Sequence, residues 1–95
     1  MVFKELKINK IKLKNRIVVS PMCQYSGRNG SPTNWHYLHL LKLLTSGAGM
    51  LMLESTAVSK SAKISHADLC LSNKIQKKKF KNLISFLKSF EKNIP

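Results

Sequence analysis

The seven residues from Ser20 to Ser26 carry the side chains with the clearest chemical potential in this 95-residue chain. They read Ser-Pro-Met-Cys-Gln-Tyr-Ser, which places a rigid proline, a thiol and a phenol close together. Such a segment could form a wall against a flat cofactor, with the thiol tuning it and the phenol donating a hydrogen bond. Spacing alone favours the alternative, a turn in which Cys23 is a small apolar residue, because a lone thiol without a placed base is not a nucleophilic catalyst.

His36, His39 and Glu54 are the other candidates for chemistry. The two histidines are three residues apart, a spacing that can share a metal ion, but no further ligand accompanies them. We therefore favour histidines that pack and hydrogen-bond to neighbouring loops, and we predict no metal site. Glu54 ends an apolar run and is either an anchor for nearby backbone or an acid in a pocket. The anchor is favoured because the carboxylate has no evident acid or base partner.

Two apolar runs, Ile17–Val19 and Met50–Leu53, predict the strands that position these residues. Neither run alternates with polar residues, which is typical of parallel strands buried on both faces. Before them, alternating apolar residues and lysines over Leu6–Leu13 predict a hairpin that turns at Asn9-Lys10. Ligands of parallel α/β proteins bind where strands end at their carboxyl side, so the segment after Val19 and the residues after Leu53 are expected at one edge.

Each predicted strand leads through a polar segment to an amphipathic helix. The first helix is capped by Thr33 or Asn34 and stops at Ser46-Gly47. The second follows a polar loop from Ser59 to about Asp68, is capped by Ser72 or Asn73, and ends near Glu91. Their apolar faces comprise Tyr37, Leu40, Leu41 and Leu44 in the first, and Phe80, Leu83, Ile84, Leu87 and Phe90 in the second.

Two strands cannot complete a parallel core, so the pattern predicts the start of a larger α/β protein. We expect residues 1–95 to belong to a single domain without an internal boundary. No stretch is long enough to span a membrane and no export signal is evident, which predicts a cytoplasmic protein in which Cys23 and Cys70 remain thiols.

The chain is strongly basic, with 17 Lys and Arg against 4 Asp and Glu and a formal charge of +13. Such a charge attracts polyanions, and a small nucleic-acid- or polyanion-binding module is the alternative function. However, Arg16 and Arg28 are the only arginines, whereas recognition surfaces usually favour arginine. No glycine-rich phosphate loop and no aromatic stacking platform supports that alternative.

Four stretches together resemble the opening of bacterial Old Yellow Enzyme-type flavoproteins, in particular the NADPH dehydrogenase or xenobiotic reductase branch. In chain order they are LKNRIVVSPMCQYS, NWHYLHL, GAGMLMLESTAVS and KISHADLCLS. The resemblance implies the N-terminal portion of a (β/α)8 TIM barrel, formed by the hairpin and the first two βα units and therefore incomplete.

The resemblance also implies a function for the parent protein, an FMN-dependent NADPH dehydrogenase and ene-reductase. Hydride would pass from NADPH through FMN to an activated alkene such as an enone or nitroalkene. The implied FMN contacts are Ser20, Pro21, Met22, Cys23 and Ser55, with Cys23 tuning the flavin and Tyr25 bordering the substrate. The partners would be small molecules rather than nucleic acid or membrane, and the parent could form a homo-oligomer.

Residues that polarise the substrate carbonyl and supply the proton lie later in the family than this chain reaches. No catalytic residue is therefore assigned within it, and the chain alone is expected to be inactive. The chain also departs from the family at four places: Leu43-Leu44 replace Arg-Ala, Ser55 replaces Ala, Cys70 replaces Gly and Asn73 replaces Asp.

Overall fold

Short strands and two longer helices alternate along the computed structural model, which describes residues 1–95. The strands pair two by two into three small sheets, β1 with β2, β3 with β4 and β5 with β6. In chain order the elements are β1 (Leu6–Ile8), β2 (Ile11–Leu13), β3 (Val18–Val19), α1 (Asn34–Leu44), β4 (Met50–Leu51), β5 (Thr56–Ala57), β6 (Leu69–Cys70) and α2 (Lys74–Phe90).

The hairpin and the parallel pair of the sequence prediction are confirmed. β1 and β2 are antiparallel and turn at Asn9, whose φ of 53° is a left-handed conformation that asparagine tolerates. β3 and β4 are parallel, with Val18 opposite Met50 and Val19 opposite Leu51. Their carboxyl ends therefore lie at the same edge.

Burial of these two strands on both faces was a wrong prediction. Leu51 and Leu53 pack against the core, but Met52 between them is 46% exposed and Val18 is 43% exposed. The helices of this chain cover one face of the strands, so alternate side chains on the other face meet solvent. An apolar run in the sequence does not show whether a second layer of structure covers the other face of the strands.

A second parallel pair was missed by sequence reasoning. In β5 and β6, Thr56 lies opposite Leu69 and Ala57 opposite Cys70. The polar loop between them contains a short 3₁₀ turn at Lys60–Ala62. The strands β3 and β4 are equally short but lie within the apolar runs Ile17–Val19 and Met50–Leu53, whereas Thr56–Ala57 lies in no such run.

Both helices begin as predicted, α1 after Thr33 and α2 after Asn73, and α2 ends before Glu91. Tyr37 of α1 packs against Phe86 of α2 with 4.9 Å between ring centroids. The core between them contains Leu40, Leu44, Leu83, Leu87 and Ile94. Two members of the predicted α2 face, Ile84 and Phe90, are instead exposed, because the contact covers only part of a wide apolar stripe. Neither helix combines the length and hydropathy needed to cross a bilayer.

Candidate functional site

The edge where β3 and β4 end brings the predicted cofactor residues together. The segment Ser20–Ser26 leaves β3 there, and residues 52–55 leave β4. A hydrogen bond joins the two segments, since the backbone N–H of Gln24 donates to Oε2 of Glu54 at 3.3 Å. Cys23 and Ser55 are the chain neighbours of these two bonded residues, so the two predicted groups of flavin contacts share one edge.

Most of the predicted contact residues are open to solvent. Ser20, Pro21, Met22 and Ser55 are exposed, whereas Cys23 is half-buried and carries a free thiol. Tyr25 is 63% exposed and has a φ of 51°, a left-handed conformation that is unusual for an aromatic residue. The surface therefore offers a thioether, hydroxyl groups and a phenol to a ligand at this edge.

Gln24 fixes the shape of this segment, a role that sequence reasoning missed. Its side-chain Nε2 donates to the carbonyl of Met22 at 2.9 Å, and its Oε1 accepts from the indole Nε1 of Trp35 at 2.9 Å. The hydroxyl of Ser26 donates to the Gln24 carbonyl at 2.9 Å. A loop glutamine gives no sequence signal for such contacts, because its partners are set by the tertiary fold.

His36 and Glu54 form a buried pair directly behind the segment. The side chain of His36 is 1% exposed and that of Glu54 is 6% exposed, with 3.1 Å between Nε2 and Oε1. Nε2 has no well-aligned hydrogen-bond partner, so the attraction across this contact is mainly electrostatic. Burial lowers the pKa of His36 below its ordinary value, although the Glu54 carboxylate opposes the shift. The favoured state is thus a neutral imidazole beside a carboxylate.

The tautomer of His36 follows from its second nitrogen. The backbone N–H of Thr33 donates to Nδ1 at 2.9 Å, so Nδ1 is an acceptor and the neutral ring carries its proton on Nε2, facing Glu54. The Thr33 hydroxyl donates in turn to the carbonyl of Ser26 at 2.9 Å. The start of α1 is thereby fastened to both strand-end segments.

These contacts decide between the alternative roles that the sequence left open for Glu54 and for the two histidines. Glu54 anchors the backbone at Gln24, as favoured. His36 packs and hydrogen-bonds to the adjoining loop, as favoured, while His39 stacks on Trp35 with 6.3 Å between ring centroids and 9° between ring planes.

Five lysines lie together near the start of β4, away from this edge. A groove of about 730 Å³ near the start of β4 is lined by Lys10, Lys12, Lys14, Lys88 and Lys92, together with Glu5 and Glu91. Lys12 pairs with Glu5 at 3.3 Å, and both side chains are largely exposed. Exposed pairs of this kind contribute little energy, and the groove has the character of a solvated charged surface.

Residues 1–92 match the model of the NADH:flavin oxidoreductase / NADH oxidase family. The chain belongs to this family. This chain is 43% identical over 89 residues to an NADPH dehydrogenase of Listeria welshimeri, covering 92% of this chain and 26% of that protein. It is 38% identical over 91 residues to an NADPH dehydrogenase of Bacillus cytotoxicus, covering 94% of this chain and 26% of that protein. It therefore spans about a quarter of the length of these curated relatives.

Solved structures establish the fold of this chain. Morphinone reductase superposes with a TM-score of 0.85 at 17% identity, over 95% of this chain and 24% of that chain. An old yellow enzyme from Trypanosoma cruzi superposes with a TM-score of 0.84 at 15% identity, over 94% of this chain and 24% of that chain. The predicted fold, an incomplete portion of a (β/α)8 barrel, is confirmed.

Proposed function

We propose that this chain forms part of the FMN site of an NADPH dehydrogenase of the Old Yellow Enzyme type. The observation that carries the proposal is the exposed segment from Ser20 to Cys23, joined through Gln24 and Glu54 to Ser55 at the carboxyl edge of β3 and β4. This is where parallel α/β proteins bind their ligands, and the chain belongs to a flavin oxidoreductase family. The relatives are NADPH dehydrogenases, which supports the general activity rather than the individual contacts.

The residues at this edge fit a flat cofactor with polar atoms along its rim. Met22 is 52% exposed and offers apolar surface, while the hydroxyl groups of Ser20 and Ser55 can donate or accept hydrogen bonds. Glu54 is turned inward to His36 and Gln24, so its negative charge is not presented at the surface. An anionic cofactor would therefore meet no exposed carboxylate from Glu54.

Bound FMN would supply two-electron chemistry, accepting hydride from NADPH and delivering it to an activated alkene such as an enone or nitroalkene. In this proposal Ser20, Pro21, Met22, Cys23 and Ser55 hold the cofactor, and the half-buried thiol of Cys23 sets the polarity beside it. The exposed phenol of Tyr25 borders the substrate and can donate a hydrogen bond to it.

The proposal assigns no catalytic acid to this chain, and it treats the chain alone as inactive. Two observations support that view: side chains on one face of β3 and β4 are exposed, and the chain spans about a quarter of the length of its relatives. The complete enzyme would act on small molecules in the cytoplasm.

A chimera tests the proposal. The chain replaces the matching 89 residues of the Listeria welshimeri NADPH dehydrogenase, and the purified protein is assayed for flavin absorption and for NADPH oxidation with an enone. We expect a yellow protein that oxidises NADPH, and we expect Cys23→Ala to shift the flavin reduction potential with the flavin still bound. A chimera that folds but purifies without flavin would overturn the proposal.

A further inference from the structure

Glu54 connects three parts of the chain that meet behind the exposed edge. Its own segment follows β4, its Oε2 accepts from the backbone N–H of Gln24 at 3.3 Å, and its Oε1 lies 3.1 Å from His36 Nε2 at the start of α1. Both side chains of the pair are more than nine-tenths buried. Neither can therefore touch a ligand at the surface.

The hydrogen bond at Nδ1 decides which atom His36 turns toward Glu54. The Thr33 N–H occupies Nδ1 of His36, so Nε2 must present its proton to Glu54. Glu54 thus faces two N–H groups, one from His36 and one from Gln24. Only a carboxylate, with acceptors at both oxygens, matches both of them.

The Gln24 backbone is the point through which this pair acts on the exposed segment. Gln24 lies between Cys23 and Tyr25, and Tyr25 holds a left-handed φ of 51°. Such a conformation persists in a non-glycine residue only where its surroundings impose it. The bonds from Gln24 to Glu54, Met22 and Trp35 provide those surroundings.

We propose that Glu54 is a positioning residue, held by His36, that sets the geometry of the Met22–Tyr25 segment through the Gln24 N–H. The inference rests on the proposed FMN site and adds to it a buried residue outside the cofactor contacts. Because the carboxylate acts on the segment from behind, its loss alters how Cys23 and Tyr25 are presented while leaving every contacting side chain in place.

The decisive variant is Glu54→Gln. A carboxamide offers one oxygen and one NH₂ group, so either Gln24 N–H or His36 Nε2–H must face another donor. Glu5→Gln is the matched control, since Glu5 is largely exposed and contacts only Lys12 of the hairpin. His36→Asn is the second variant, because its Oδ1 can still accept from Thr33 N–H while the group that faces Glu54 is lost.

Two measurements are made: amide hydrogen exchange resolved by residue on the 95-residue chain, and FMN binding followed by flavin fluorescence on the chimera that carries the same substitutions. For Glu54→Gln we expect exchange at Gln24 to rise about tenfold, exchange within α2 to stay unchanged, and the Kd for FMN to weaken about tenfold. His36→Asn should change both quantities in the same direction and by less. Glu5→Gln should change neither.

The outcomes separate this inference from the proposed function. If the unsubstituted chimera folds but does not bind FMN, the proposed function is overturned, and exchange at Gln24 in the 95-residue chain still decides whether Glu54 holds the segment. If FMN binds and Glu54→Gln leaves both Gln24 exchange and the Kd unchanged, the positioning role is overturned. A uniform rise in exchange over α1 and α2 in both variants would show a general structural role and would also overturn it.

Discussion

The two helices begin in similar ways, and one difference between them is the chemistry of a buried side chain. In each, the third helical residue is a buried polar side chain that reaches back to a backbone N–H before the helix. His36 Nδ1 accepts from Thr33 at 2.9 Å, and Gln76 Oε1 accepts from Ser72 at 2.8 Å. His36 accepts from the N-cap residue Thr33 itself, whereas Gln76 accepts from Ser72, the residue before the N-cap Asn73.

The far end of each side chain reaches a distant segment. Gln76 Nε2 donates to the carbonyl of Asn29 at 3.0 Å, whereas His36 Nε2 faces the Glu54 carboxylate. An amide cannot change charge, but an imidazole can. The comparison therefore indicates that the attachment of α2 is insensitive to pH, while the attachment of α1, next to the proposed flavin site, depends on the protonation of one ring.

Gly30→Ala should have the largest effect, because it disrupts the attachment of α2. Gly30 has a φ of 77°, and an added Cβ would lie 2.4 Å from Gln76 Nε2 and 2.7 Å from the Cβ of Cys70. We expect a loss of about 2–4 kcal/mol in the free energy of unfolding, measured by urea titration. Gly47→Ala is the control, since its φ is 98° but no atom lies within 4 Å, and it should cost about 1 kcal/mol. Equal losses would contradict the crowding argument.

Gln76→Leu should follow, with a loss of about 2–3 kcal/mol. The leucine fills similar space but leaves the Ser72 N–H and the Asn29 carbonyl without their partner. The loss should be the same at pH 5.5 and pH 7.5, because no titrating group is removed. The control is Asn82→Leu, at an exposed position of α2, which should have little effect. If the loss in Gln76→Leu varied with pH, the contrast between the two helices would be contradicted.

Acidification should weaken the attachment of α1 by less than Gln76→Leu weakens that of α2. Burial, together with the nearby His39, lowers the pKa of His36, while the Glu54 carboxylate opposes the shift. On acidification the unfolded chain takes up this proton first, near pH 6.5, so stability is constant above that pH and is lost as the pH falls through the lower folded-state pKa. Protonated Nδ1 can no longer accept from Thr33.

His36→Asn is the check on this pH dependence. The variant should be less stable at pH 7.5 and should show a flat urea midpoint between pH 7.5 and pH 5. Loss of stability at more acidic pH should remain, because hydrogen bonds from Ser65 lower the pKa of Asp68, whose contribution disappears only as the pH falls through that lowered pKa. An unchanged slope in His36→Asn would assign the pH dependence to another group.

Asn73→Asp should have the smallest effect and the opposite sign. Asn73 Oδ1 accepts from the Gln76 backbone N–H at 2.8 Å, and no acidic residue lies in the first turn of α2. A carboxylate keeps this cap and adds a favourable interaction with the helix dipole, so thermal unfolding should show a gain of about 0.3–1 kcal/mol. Asn73→Ala should instead lose about 1 kcal/mol. A destabilised Asn73→Asp would contradict this account of the cap.

The sequence signals that succeeded are local. Thr33 and Asn73 mark helix starts, and Asn9-Lys10 marks a hairpin turn. The anchoring role of Glu54 is confirmed, but it was favoured because no acid or base partner was evident, and His36 is such a partner. The pairing of His36 with Glu54 could not be predicted, because it joins residues 18 positions apart through the tertiary fold. The partial exposure of β3 and β4 and the pairing of β5 with β6 were not predicted for a related reason. Both depend on contacts with elements that are distant in sequence.

Trp35 is the only tryptophan of the chain, and its surroundings give the molecule an intrinsic optical reporter. The indole N–H is committed to Gln24, in the segment proposed to contact FMN, while the ring stacks on His39. Its emission wavelength and lifetime should respond when the Gln24 amide moves or when the stacking on His39 changes. Motion at this edge is therefore visible to fluorescence in the unlabelled protein, with no background from a second indole.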